Sequence, residues 1–352
     1  VSPKLARRVA AGTVITLAAI LATPLTSIGA GVALSRLASG SLAALAGAVD
    51  PAGSINYGSD GRFTILLIGS DYRKTLYGER TDVMMVMTID SSTKRVSAAS
   101  IPRDTVYFPR AASNGGGTSG TNRVNAMYSV YYRHNYAHAK VDVPALVRFK
   151  KDVGRALDTE IDYVAMVRFK GFVDIVNRIG GINVQIAAAI RDDFYRTRTS
   201  QHRKGVFFPV SGSWALQGNP VCKPYPKKCH SALAYARSRH GTVGNKYNND
   251  FRRSLRQQSL AVAGAGKIVS RGQGQLSDLV SAAQGRVYTD LPRTLGAATQ
   301  LYNLVNGAHL ASNDQVVFAP SKWAYTDNQT PLYTFKLDLP KVRNWINHHF
   351  GS

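Results

Sequence analysis

Acidic residues are scarce in this 352-residue chain: 21 Asp plus Glu stand against 44 Lys plus Arg, a formal net charge of +23. Such an excess favours an anionic partner, whether nucleic acid, acidic lipid or a phosphorylated polymer. Nucleic acid finds no support, because there is no zinc-finger spacing, RNA-binding aromatic motif or contiguous basic arm. Scattered charge also fits a plain solvated basic surface. Cysteine is nearly absent. The only two, Cys222 and Cys229, enclose the basic turn Lys-Pro-Tyr-Pro-Lys-Lys. Two thiols beside the single His230 match no metal site. A short-loop disulfide in an oxidising compartment is therefore expected, ahead of two independent buried thiols.

Charge is missing altogether from Val9 to Leu34, a stretch interrupted only by Pro24 and preceded by Lys4, Arg7 and Arg8. A bilayer is crossed by about 20 helical residues, so the stretch is long enough. The basic flank predicts a cytoplasmic tail over residues 1–8, an anchor over 9–34 and an exported body. A cleavable signal peptide is the competing reading, given the small residues between Ala22 and Ala33. The length favours a retained anchor. An Ala-, Gly- and Ser-rich spacer follows through residues 35–61, and a single extracytoplasmic domain is expected over 62–352.

Three apolar runs then carry acidic residues at their ends: FTILLIGSDYR (63–73), ERTDVMMVMTID (79–90) and KRVSAASIPRD (94–104). Their β-branched and aliphatic content predicts strands. The tight Asp90-Ser91-Ser92-Thr93 link predicts an antiparallel hairpin between the second and third. Without a bulge, 89 faces 94, 82 faces 101 and 80 faces 103. If the first two strands are also antiparallel, Asp71, Arg80, Asp82, Arg103 and Asp104 converge on one sheet edge. Carboxylates among guanidiniums suit a divalent metal and a polyphosphate together.

Downstream, strand and helix signals alternate. Helices are expected over Asn122–Arg133, Val143–Leu157 and Gly171–Ile179, and strands over Asp162–Phe169 and Ile182–Ile186. The Ser/Gly/Thr-rich stretch Ser113–Thr121 predicts a mobile surface loop. Phe169, Phe172, Val173, Ile175 and Val176 fit a core; a lipid groove is the alternative. Asp250 is the expected N-cap of a helix running to about Val269. Arg253, Arg256 and Gln257 share one face of its first turns, where the helix dipole favours anions. Arg237 and Arg239 share a face only if extended. A solvated basic helix face is the plain alternative, weakened by the acidic cluster upstream. After about Gln275, a helix and a strand are expected to complete the same domain. Trp323 and Trp345 are expected to be buried, with contact to sugar faces the alternative.

The blocks GSD (69–71), RTD (80–82), SIPRD (100–104), RVNAMY (123–128), GF…D…IGGI (171–182), RSR (237–239) and DFRRSLRQQ (250–258) resemble, in order and spacing, the LytR-CpsA-Psr family. The resemblance covers about residues 62–270, and the N-terminal anchor agrees with that family's topology. Ser113–Thr121, YYRHNYAHAK (131–140) and GTVGNKYN (241–248) depart from its pattern.

That resemblance implies an α/β/α sandwich around a central mixed β-sheet, preceded by a transmembrane helix, at the cell membrane. It implies a phosphotransferase moving a glycopolymer from a polyprenyl-pyrophosphate carrier to a muramic acid hydroxyl of peptidoglycan, with an apolar pocket for the lipid tail. Asp82 and Asp104 would hold Mg2+ (or Mn2+), with Asp71 close by. Arg80, Arg103, Arg237, Arg239, Arg253 and Arg256 would grip the pyrophosphate, helped by Gln257, while Asp250 orients arginines. Asp71, Arg103, Asp104 and Arg256 form the implied catalytic set, with Asp71 or Asp104 as proton acceptor. Water in place of the acceptor would make the site a polyprenyl-pyrophosphate phosphatase; a non-catalytic wall-polymer-binding regulator is the other alternative. The Ala-, Gly- and Arg-rich composition hints at an actinobacterial source and so at arabinogalactan rather than teichoic acid or capsule.

Overall fold

A computed structural model of the chain describes residues 53–58, 60–72, 79–132, 141–186, 189–192, 195, 206–208, 212–218, 231–239, 249–328 and 333–351. The expected anchor, both cysteines and the 241–248 stretch lie outside these residues. Among the described residues no helix is long and apolar enough to cross a membrane.

The three acidic-ended runs are strands β1 (Arg62–Ser70), β2 (Thr81–Asp90) and β3 (Arg95–Ser100). Helices α1 (Met127–Tyr131) and α2 (Val143–Leu157) precede β4 (Tyr163–Arg168) and α3 (Phe169–Arg178). Short strands β5 (Ile182–Ile186), β6 (Ile190–Asp192), β7 (Val206–Phe208) and β8 (Gly212–Leu216) lead to α4 (Ala232–Arg237) and the long α5 (Asp250–Arg271). Helix α6 (Leu276–Ala283), β9 (Val287–Thr289), α7 (Leu295–Val305) and β10 (His309–Val317) follow. The ribbon β11 (Ala324–Asp327) and β12 (Thr334–Leu337) and helix α8 (Leu339–Phe350) complete the described chain.

Six strands form one mixed sheet in the order β10-β3-β2-β1-β4-β9. β2 is antiparallel to both β1 and β3, as the sequence suggests, while β1 and β4 are parallel. Alternation along β1 sends Phe63 and Ile65 to one face and Leu66 and Ile68 to the other. Residues of α3 to α7 pack on the first face, and residues of α1, α2 and α8 on the second. Both faces are thus covered, giving three layers. Each fully buried side chain such as Phe63 or Phe149 contributes roughly 1.5–3 kcal/mol of hydrophobic stabilisation.

Three local expectations change. Ile89 faces Val96 rather than residue 94, so the hairpin register is shifted by two. The turn is longer because Lys94 adopts φ 60° and donates its N–H to the carbonyl of Asp90. The Asp90 carboxylate also accepts from the backbone of Ser92 and Thr93, at 3.0 and 2.8 Å. Since side chains alternate with period two, each keeps its expected face. The Ser113–Thr121 stretch, expected as a surface loop, is tied to the domain: Pro109 bridges Thr118, and buried Asn114 donates to Asp152 of α2 at 2.7 Å. The expected helix over Asn122–Arg133 is a single 3-10 turn, Val124–Ala126, followed by the short α1.

Residues 53–58, which the composition places in the spacer, pack on the domain. Ile55 N–H donates to Gln300 at 2.8 Å, and the Thr294 hydroxyl to the Gly53 carbonyl at 2.6 Å. Nearby, Asp162 accepts from Thr64 N–H at 2.7 Å. Burial, reinforced by Glu160 and Asp60 and opposed by Thr64 and Lys150, pushes the Asp162 carboxyl up to about 6. An unfolded carboxylate titrates near roughly 3.9, so between these values the folded state holds more protons and stability falls as pH rises. Asp162→Asn is expected to flatten the stability slope between pH 4 and 6 and to raise stability at pH 7 in urea titrations. An unchanged slope would count against this assignment.

Candidate active site

Strand order brings the end of β1, the start of β2 and the segment after β3 to one edge of the sheet. Gly69 sits opposite Val83, where a Cβ would come within 2.7 Å of the valine side chain. The β1–β2 register breaks at the next residue, and the Asp71 N–H donates to the Arg80 carbonyl at 3.3 Å. After β3, both the backbone N–H and the hydroxyl of Thr105 donate to the Pro102 carbonyl, closing a turn that presents Arg103 and Asp104. The turn is fixed from outside: Asn125 N–H donates to the Arg103 carbonyl and Phe335 N–H to the Asp104 carbonyl.

At the centre, Arg103 donates to Asp82 at 3.0 Å and lies 3.4 Å from Asp104. Arg123 holds the other Asp104 oxygen at 2.8 Å. From α5, Arg253 pairs with Asp250 at 3.0 Å, while Arg239 stands 3.9 Å from the same carboxylate oxygen. The helix is capped by Asn249, which accepts from Arg252 N–H, not by Asp250. Asp250 is thereby free to face the arginines. Burial opposes the charge on Arg103, but Asp82, Asp104 and Asp250 outweigh it and its pKa is raised. For Arg253, burial and the like charges of Arg103 and Arg239 prevail over Asp250 and Asp82, and the pKa is lowered.

Asp82, Asp104, Asp250, Arg103, Arg253 and Gln257 line one cleft of about 190 Å3. Among the described residues, the buried Nε atoms of Arg103 and Arg253 make no hydrogen bond, although Arg103 Nε lies 3.4 Å from an Asp104 carboxylate oxygen. Two orphaned cationic donors in one cleft suit the oxygens of an anion such as a phosphate. A neighbouring cavity of about 140 Å3 is lined by Leu67, Ile68, Met85, Phe169, Phe172, Leu260 and other apolar residues. Val83 and Gln257 belong to both walls, so the apolar cavity and the ionic cleft meet there. Phe169, Phe172 and Ile175 thus border a cavity, whereas Val176 is fully buried core.

The other arginines are placed differently. Arg256, 6 % exposed, donates to the carbonyls of Tyr235 at 3.0 Å and of Ser238. It ties α4 to α5 and does not line the cleft. Arg237 lies over the rings of Phe169 (4.8 Å) and Tyr195 (5.6 Å), and Arg239 N–H donates to Asp192. Arg80 is exposed, and neither it nor half-buried Asp71 lines the cleft. Sequence reasoning missed Arg123, although it opens the RVNAMY block. It also missed Arg168, which pairs with Glu79 at 2.7 and 2.8 Å and lies 4.0 Å from the Tyr72 ring. A charged residue ending an apolar strand was the available signal.

The site residues fit magnesium in one way. Among the described residues no three His, Cys, Asp or Glu side chains form a metal cluster. Magnesium, however, binds through one or two carboxylates with substrate phosphates and water completing its shell. Asp82 and Asp104 supply two hard oxygen donors beside the orphaned arginine nitrogens.

An apolar cavity beside an arginine–carboxylate cleft, at the edge of a three-layer mixed sheet, characterises this α/β protein. The chain belongs to the LytR_cpsA_psr family, whose family model matches residues 44–342. It is 27 % identical over 292 residues to the polyisoprenyl-teichoic acid–peptidoglycan teichoic acid transferase TagV of Bacillus subtilis, covering 82 % of this chain and 64 % of TagV. It is 26 % identical over 285 residues to the cell wall biosynthesis protein LcpA of Corynebacterium glutamicum, covering 71 % of this chain and 49 % of LcpA. The chain therefore spans between about half and two thirds of these relatives. The crystal structure of B. subtilis TagV shares the fold, with a TM-score of 0.57, 24 % identity, and coverage of 83 % of this chain and 98 % of that one.

Burial, helped by the like charge of Arg253 and opposed by Tyr235, pushes the Arg256 pKa down to about 10. Arg256→Ala is expected to lose roughly 2–4 kcal/mol of stability by leaving the α4 carbonyls unpaired. A urea midpoint equal to wild type would assign Arg256 to ligand binding instead.

Proposed function

We propose that this chain transfers a glycopolymer from a polyprenyl-pyrophosphate carrier to a hydroxyl of peptidoglycan, forming a phosphodiester. The observation that carries this reading is the adjacency of an apolar cavity and a cationic cleft, which share Val83 and Gln257 in their walls. A carrier with a hydrocarbon tail and a pyrophosphate head needs that adjacency. The relatives named for wall-polymer transfer and cell wall biosynthesis support it.

In this reading the tail lies among Leu67, Met85, Phe169, Phe172 and Leu260, and the pyrophosphate occupies the cleft. Arg103 and Arg253 donate through their orphaned Nε groups to phosphate oxygens. Arg239 adds charge from the rim. A magnesium ion held by Asp82 and Asp104 would supply charge neutralisation for the phosphates. The acceptor hydroxyl attacks the sugar-bearing phosphorus and polyprenyl phosphate departs. A carboxylate of the cleft takes the hydroxyl proton; Asp104 lines the cleft and Asp71 does not. Positioned cations stabilise the growing oxygen charge, so no Ser or His nucleophile is required.

The same reading places the domain outside the cytoplasm, tethered by the uncharged 9–34 segment, with Cys222 and Cys229 paired. It takes arabinogalactan as the polymer. Arg103→Ala is expected to reduce polymer transfer at least a hundredfold, the order found when a transition-state charge donor is removed. The assay is a reconstituted reaction with lipid-linked donor, peptidoglycan and magnesium. Transfer at wild-type rate would sink the assignment.

A further inference from the structure

The ionic cleft also carries aromatic lining that it does not share with the apolar cavity. Phe251, Tyr333 and Phe335 line the cleft and are absent from the lining of the apolar cavity. Their rings touch in a chain: Tyr333 meets Phe335 edge-on at 4.8 Å, and Phe335 lies 5.8 Å from Phe251 in a tilted contact. Phe335 is buried, whereas Tyr333 is 67 % exposed. The support under Tyr333 is rigid. Phe335 N–H donates to the Asp104 carbonyl, and its own carbonyl accepts from Val106 N–H, so this strand is bonded directly to the turn that presents Arg103 and Asp104. Asn249, exposed on the same wall, accepts from Arg252 N–H through its side-chain amide oxygen and so caps α5.

A single exposed tyrosine is ordinary on a protein surface, but this one borders a charged cleft and is backed by two further aromatic rings. An aromatic face carries partial negative charge and attracts polarised C–H groups. The axial C–H face of a pyranose presents such groups, while its hydroxyls seek amide donors and carboxylates. Tyr333 with Asn249 and Asp250 offers both kinds of contact.

The geometry points to a sugar subsite at Tyr333, with Phe251 and Phe335 beneath it, for the first pyranose of the glycan attached to the pyrophosphate. This inference rests on the proposed function, and it gives the site a direction. A carrier is linear, with tail, two phosphates and sugar in that order. The tail cavity joins the cleft at Val83 and Gln257, so the sugar emerges at the aromatic lining that the cavity does not share. Tyr333 is then a binding residue that reads the glycan and leaves the phosphates to the arginines.

The test is calorimetric titration of the full chain, in detergent with magnesium, against three probes. They are geranyl pyrophosphate, the same lipid pyrophosphate bearing an N-acetylhexosamine, and a soluble muropeptide. Wild type is expected to bind the sugar-bearing lipid more tightly than the bare one. Tyr333→Ala is expected to weaken the sugar-bearing probe by roughly three- to tenfold, the range of one aromatic contact, and to leave geranyl pyrophosphate unchanged. Tyr333→Trp should restore the preference. Because Tyr333 is exposed, a melting temperature equal to wild type should accompany both variants. Equal binding of the sugar-bearing lipid by wild type and Tyr333→Ala would overturn the subsite while leaving the lipid-pyrophosphate reading intact. Loss confined to the muropeptide would overturn it in favour of the acceptor. Failure of wild type to bind either lipid would overturn both readings.

Discussion

Holding arginine charge out of water is the constraint on which this site depends. Arg253 and Arg256 are 7 % and 6 % exposed, and an uncompensated buried cation costs several kcal/mol. The fold meets that cost in two different ways. Arg103 and Arg253 are flanked by carboxylates from three separate segments, at residues 82, 104 and 250. Arg256 instead uses backbone carbonyls at the C-terminal end of α4, where the helix dipole favours a cation. The first solution leaves the Nε donors of both arginines without a hydrogen bond among the described residues. The second is closed, and it keeps α4 and α5 at a fixed separation.

The sheet makes the first solution possible. Residues at the ends of β1, β2 and β3 share an edge only because β2 runs antiparallel to both neighbours. The helices on one face leave a gap between α3, α4 and α5 that becomes the apolar cavity, while the opposite face is packed by α1, α2 and α8. The RVNAMY segment acts from behind: its backbone pins the 102–105 turn, and Arg123 holds Asp104. Chemistry and scaffold are therefore interleaved residue by residue along the same short segments.

Much of this was legible in the residues. Strand polarity followed from apolar runs and a tight link, and the convergence of Asp82, Arg103 and Asp104 survived an error of two in register because side-chain parity was preserved. The bounds of α2 and β5 also follow from capping and turn residues alone. What escaped detection depended on tertiary contact. The Ser113–Thr121 stretch reads as a mobile loop from its glycines, yet Asn114 is tied to Asp152, a partner 38 residues away. Arg253 and Arg256 share a helical face, but only packing against α4 sends one to the cleft and the other to carbonyls. Phe169 and Phe172 look like core because periodicity counts apolar positions and cannot register the space left between them.

Helix α5 carries this interleaving furthest. Its 22 residues span about 33 Å at 1.5 Å per residue. Asp250 and Arg253 stand at the cleft, Gln257 at the junction, and Leu260 and Ala261 in the apolar cavity. One rigid rod therefore sets the spacing between the ionic cleft and the apolar cavity. Sliding or tilting it to reshape the cavity would displace Asp250 and Arg253 by the same amount. The two linings can thus be altered independently only by side-chain exchange along the helix, or through segments off it such as the ribbon that carries Tyr333.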